Sequence, residues 1–101
     1  MALIEVGVIP LGTETPSVSK YVAGAVKVLQ DAKDIKYELT AMGTIIEGDL
    51  EHLLTLVKKM HQSAFDAGAK RVVTSVKIDE RRDKPSTINS KVASVKEKLR
   101  A

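Results

Sequence analysis

The side chains that could do chemistry crowd into two short stretches. Glu47 closes the run Gly43-Thr44-Ile45-Ile46 and stands just before Gly48-Asp49, where a helix opens. A carboxylate there could hold a cation or an aminopyrimidine. It could equally be an exposed acid favoured by the positive end of the helix dipole. Lys77, Asp79, Glu80, Arg81 and Arg82 are packed into the end of another strand. They could clamp a phosphate or carboxylate, or form an ion-pair cluster at a subunit contact or on the surface. Other chemistries are missing from the pattern. His52 and His61 sit nine positions apart on one helical run. At about 100° per residue they fall on roughly opposite faces, which leaves packing or surface roles and no shared metal. No HExxH, EF-hand or Walker A spacing occurs, the glycines form no GxGxxG loop, and no GxSxG elbow presents a serine nucleophile. Cysteine is absent, which removes disulfides, thiolate metal sites and thiol nucleophiles. The sequence therefore names no catalytic residue, no cofactor and no metal.

The chain that must position these groups has 101 residues, 44% apolar and 29% charged, the size and balance of one globular domain. No apolar run approaches the ~20 residues of a membrane-spanning helix. The N-terminus lacks a basic stretch followed by an apolar one, so the expected setting is the cytoplasm. Tyr21, Tyr37 and Phe65 are the only aromatic residues, too few for the stacking platforms of single-strand binders. Charge is uneven: −3 over residues 1–69 and +6 over residues 70–101. A basic third could draw nucleic acid or anionic ligands. Asp79, Glu80, Asp83 and Glu97 are interleaved with the bases, which favours a solvated surface over nucleic acid.

Apolar periodicity sets the elements. Residues 2–11 carry Ile4, Val6 and Val8 on one face and Leu3, Gly7 and Ile9 on the other, a strand buried on both sides. Val18, Tyr21, Val22, Ala25, Val26 and Leu29 repeat with helical period and predict a helix over 17–32, capped by Thr15 or Ser17 with Pro16 in the first turn. Gly24 inside it predicts close packing against a neighbour. Residues 36–42 alternate as a strand, and 44–47 form a second, joined by a tight reversal at Gly43. Asp49 caps a helix whose stripe runs from Leu50 to Phe65 and stops at Gly68. Residues 71–80 are a strand, and Ile88, Val92, Val95 and Leu99 mark a last helix.

The order β-α-β-β-α-β-α predicts a ferredoxin-like α+β sandwich, βαββαβ, with an additional C-terminal helix. Right-handed crossovers place the first two helices on one face of the sheet. The other face is left for the third helix or a second copy to cover, so self-association is expected.

The segments Ile9-Pro10-Leu11-Gly12-Thr13, Ser17-Val18-Ser19-Lys20-Tyr21-Val22, Ala41-Met42-Gly43-Thr44-Ile45-Ile46-Glu47-Gly48-Asp49 and Val76-Lys77-Ile78-Asp79-Glu80-Arg81-Arg82-Asp83, with residues 92–99, together resemble the small thiamine-binding protein family, related to the YkoF-like domains. The likeness spans the whole chain, and the Met-Gly-Thr segment and the charged strand end are its most specific parts. It implies one binding domain over residues 1–101 and homo-oligomers, dimers or tetramers, built by sheet-to-sheet contact. It also implies a binding role for thiamine or its hydroxymethylpyrimidine moiety, without catalysis. Such a ligand pairs a flat aminopyrimidine with a cationic thiazolium and needs an apolar slot, a few hydroxyl or backbone partners and a carboxylate. Ser17, Ser19, Thr40, Met42, Gly43, Thr44 and Glu47 supply those types around the first helix start and the central hairpin, with Glu47 as the charge partner. Ring stacking falls to Tyr37, Tyr21 or the Met42 thioether. Arg81 and Arg82 are the residues for an anion or a subunit contact.

Overall fold

Strand β1 (Ala2–Pro10) lies at the centre of the molecule because its alternate residues Ala2, Ile4, Val6 and Val8 are all buried. The computed structural model describes residues 1–13 and 18–100. Helix α1 (Ser19–Gln30) follows, then β2 (Lys36–Thr40), β3 (Gly43–Gly48), α2 (Leu50–Asp66), β4 (Val72–Glu80) and α3 (Ile88–Leu99). The strands form one antiparallel sheet in the order β2-β3-β1-β4. This is the ferredoxin-like arrangement with an added C-terminal helix. Among the described residues, no helix is long and apolar enough to cross a membrane.

Helices α1 and α2 pack on each other and on β1, on the same side of the sheet. Their stripes meet Ile4, Val6 and Ile46, and the core closes around Leu29, Leu53 and Met60. Helix α2 starts as its sequence predicts: the Asp49 carboxylate accepts the His52 N–H at 3.3 Å. The histidines tie the layers together. The His52 ring nitrogen Nε2 lies 2.9 Å from the Lys33 carbonyl, and His61 Nδ1 lies 2.6 Å from the Thr74 hydroxyl.

Three local expectations are corrected. The N-cap of α1 is Val18, without a side-chain cap, and Thr15, Pro16 and Ser17 lie outside the described residues. Ala41 and Met42 form the turn between β2 and β3, so β2 ends two residues early. Gly24 has no close neighbour: a Cβ built there meets nothing within 4 Å. Gly24→Ala should therefore raise stability by ~0.5–1 kcal/mol, the usual gain from replacing a helix-interior glycine. A urea midpoint lower than that of the parent would show that something packs on Gly24 in solution.

The two helices leave much of the sheet uncovered. On the helix side of β4, Val76 and Ile78 remain partly exposed, as do Tyr37 and Leu39 on β2. The opposite face is mixed rather than uniformly apolar. Its rows read Lys36-Glu47-Leu3-Asp79 and Glu38-Ile45-Glu5-Lys77 across the sheet, and only toward the far end do Ile9 and Val73 pair as exposed aliphatics. Helix α3 buries none of its residues and has few contacts with the other elements. The radius of gyration is 15.0 Å, above the roughly 13 Å usual for a chain of 100 residues.

Candidate functional site

Strand β1 is longer than the strand beside it. Its register with β3 runs from Ala2↔Gly48 to Val6↔Thr44 and stops there, while its register with β4 continues to Pro10↔Val72. Beyond Val6, the side of β1 turned away from β4 has no strand partner. A cavity of about 340 Å³ opens at this step, within the range of roughly 300–1,000 Å³ typical of small-molecule sites. Its walls are β1 (Val6 to Ile9), α1 (Val22, Ala25) and the β2–β3 reversal (Thr40 to Thr44).

The reversal is built to hold this shape. The Thr40 hydroxyl donates to the Gly43 carbonyl at 2.8 Å and accepts the Met42 N–H at 3.3 Å. Gly43 has φ +157°, and a Cβ there would stand 3.1 Å from the Val6 carbonyl oxygen. The absence of a side chain at Gly43 thus lets the turn close against β1. Met42 sits at the tip, 88% exposed, with its thioether free to lie over a flat ring.

Thr44 is the polar group inside. It is only 4% exposed, it lines the cavity, and its hydroxyl has no hydrogen-bond partner among the described residues. No wholly enclosed side-chain oxygen among those residues lacks a partner, so the Thr44 Oγ1 keeps an opening, and the cavity is the opening it lines. An unpaired hydroxyl this deep is costly unless something completes it. Among the described residues no ionisable side chain lines the cavity, and the other polar side chains there are Thr40 and Ser75. Alternate backbone groups of residues 7–10 on the open side of β1 add donors and acceptors, except at Pro10, which has no N–H to leave unpaired.

The structure thus gathers Thr40, Met42, Gly43 and Thr44 around one cavity. Ser19 lies in an adjoining open groove between α1 and β2 that shares Val18, Val22, Leu39 and Thr40 with it. Ser17 lies outside the described residues. Glu47 is not at this cavity. Thr44 and Ile46 point to the helix side, so Glu47, an odd number of residues from Thr44, faces the other side of the sheet in the row with Lys36 and Leu3. It is 4% exposed and has neither hydrogen bond nor ion pair among the described residues. Neither Tyr21 nor Tyr37 lines the cavity, and Met42 does. The β1 edge, Val22 and Ala25 were not among the residues the sequence pointed to. The signal available was the unequal length of the first and third strands.

At the other end of the sheet, Arg81 and Arg82 are occupied by acids of their own chain. Arg81 grips Asp83 through Nε at 2.8 Å and Nη2 at 2.5 Å, and the Arg82 guanidinium meets Glu80 at 3.2 Å. The Arg81 hydrogen bonds hold the Asp83 carboxyl at about 2, so that grip persists well into the acid range. Lys91 of α3 binds Asp79, and its hydrogen bond lowers the Asp79 carboxyl below the ordinary value.

The fold is of the ferredoxin-like class, with a small-molecule-sized cavity at the step between β1 and β3. The family model described as thiamine-binding protein matches residues 4–96. The UPF0045 protein YqgV of Bacillus subtilis is 47% identical over 98% of both chains. A UPF0045 protein of Methanothermobacter thermautotrophicus is 46% identical over 98% of this chain and all of its own. The crystal structure of the hypothetical protein MJ1052 of Methanocaldococcus jannaschii superposes with a TM-score of 0.87 at 45% identity, covering 95% of this chain and 96% of that one. The chain belongs to the thiamine-binding protein family.

Proposed function

We propose that this chain is a non-enzymatic binding protein for thiamine or its hydroxymethylpyrimidine moiety, acting as one domain in a homo-oligomer. The observation that carries the reading is the Thr44 hydroxyl, unpaired among the described residues, in a cavity that no ionisable side chain of those residues lines. An aminopyrimidine is flat, neutral and ringed by donors and acceptors. Such a ring can pair with the Thr44 hydroxyl and with the free backbone edge of β1, in the way an added strand would. The apolar walls from Val6, Val22 and Ala25 take its faces, and Met42 closes over it. A cationic thiazolium gains nothing from neutral walls, so it stays at the mouth, in water.

Association of copies is supported by surface that one chain leaves wet: the α3 stripe and the aliphatic ends of β1 and β4. Calorimetry tests the ligand assignment. Thiamine and hydroxymethylpyrimidine should both bind, one per chain, while the isolated thiazolium alcohol should not. Glu47→Gln should leave both affinities unchanged, because Glu47 lies off the cavity. An absence of heat with both pyrimidines would overturn the ligand assignment, and a loss confined to Glu47→Gln would move the site to the other sheet face.

A further inference from the structure

A second cavity, of about 300 Å³, lies where β4 gives way to α3. Its lining among the described residues includes Arg81, Lys84, Ser86, Ser90 and Lys91 and no acid, while Asp83 and Asp79 hold Arg81 and Lys91 from outside it. Ser86 is 8% exposed, and its hydroxyl has no hydrogen-bond partner among the described residues. As at Thr44, no wholly enclosed side-chain oxygen among the described residues lacks a partner, so this one keeps an opening, and Ser86 borders this cavity. Lys84 has no ion pair among the described residues. The α3 N-terminus stands at the same place. Its capping box uses the Ser90 N–H and hydroxyl, both bonded to Thr87. That leaves the first-turn N–H groups of Ile88 and Asn89 without partners inside the helix.

We infer that this junction is a binding site for a phosphoryl oxyanion, separate from the pyrimidine cavity. The argument for a phosphoryl group over a carboxylate is geometric. A flat carboxylate is best held by a guanidinium fork, and the Arg81 fork already holds Asp83. What remains is the unpaired Lys84 ammonium, an unpaired hydroxyl and helix N–H groups, with the Lys91 ammonium beside them already bound to Asp79. Point charges and dispersed donors of this kind suit a tetrahedral group with several oxygens. Arg82 takes no part, since it does not line the cavity and faces Glu80. The site lies past the Ala2↔Glu80 end of the sheet, the hairpin meets β1 at Val6, half the strand away, and the two cavities share no lining residue.

The test uses inorganic phosphate and pyrophosphate, with chloride at matched ionic strength as control. Both should bind saturably to the full chain and shift the amide resonances of Ile88, Asn89 and Ser90. Charge-assisted contacts of this type change affinity by about tenfold or more, so Lys84→Gln with Ser86→Ala should weaken pyrophosphate at least that much. Thiamine binding should be the same in parent and variant, which separates this result from any failure of the pyrimidine assignment. If the variant does not fold, the amide shifts of the parent decide alone. Shifts absent at residues 88–90, no effect beyond chloride, or unchanged affinity in a folded variant would each overturn the site.

Discussion

Thr44→Val should hold its fold while losing ligand. Valine matches threonine in shape and removes only the hydroxyl. In the empty protein that hydroxyl is buried and unpaired, so its removal should leave stability unchanged or raise it by up to about 1 kcal/mol. In the proposed complex the same hydroxyl would pair with the pyrimidine. Losing that bond should weaken thiamine and hydroxymethylpyrimidine alike by roughly 3- to 10-fold. Thermal unfolding and calorimetry on one preparation read both effects. A drop in stability with unchanged affinity would mean that the hydroxyl serves the fold and not a ligand.

Polar replacement of the α3 stripe should take the assembly apart. Val92, Val95 and Leu99 are exposed, Leu99 by 78%, and no residue of α3 is buried within its own chain. Burying such a side chain contributes roughly 1.5 kcal/mol or more. Val95→Ser with Leu99→Ser should therefore weaken association by about 100-fold or more. The helix itself loses no intramolecular packing, so its far-ultraviolet signal should persist. Sedimentation velocity at micromolar concentration should show an oligomer for the parent and a 10.9 kDa species for the variant. The same oligomer in both would place the contact elsewhere, at Ile9 and Val73 or at the β4 edge.

Much of this architecture was legible because periodicity and caps agreed. The α2 stripe with Asp49 at its head, and the alternation in β1, leave little freedom. The errors have physical causes. Ala41 and Met42 continue the alternation of β2 in residue type, but the Thr40 hydroxyl bonds turn the chain there. Gly24 suggested close packing, and the space beside it is open. The displacement of Glu47 was in principle readable, since an odd separation from Thr44 sends it to the opposite face. What the sequence did not show is which hydroxyls end up without partners. Thr44 and Ser86 are two among many small polar residues until the fold buries them beside openings.

Amide chemical shifts during a titration with hydroxymethylpyrimidine test the placement of the ligand most directly. The largest changes should fall on Gly7, Val8, Met42, Gly43 and Thr44, with Val22 and Ala25 following, and Lys36 and Glu47 should stay still. Changes centred on Lys36, Glu47 and Leu3, or no saturable change anywhere, would contradict a pyrimidine site between the β1 edge and the β2–β3 reversal.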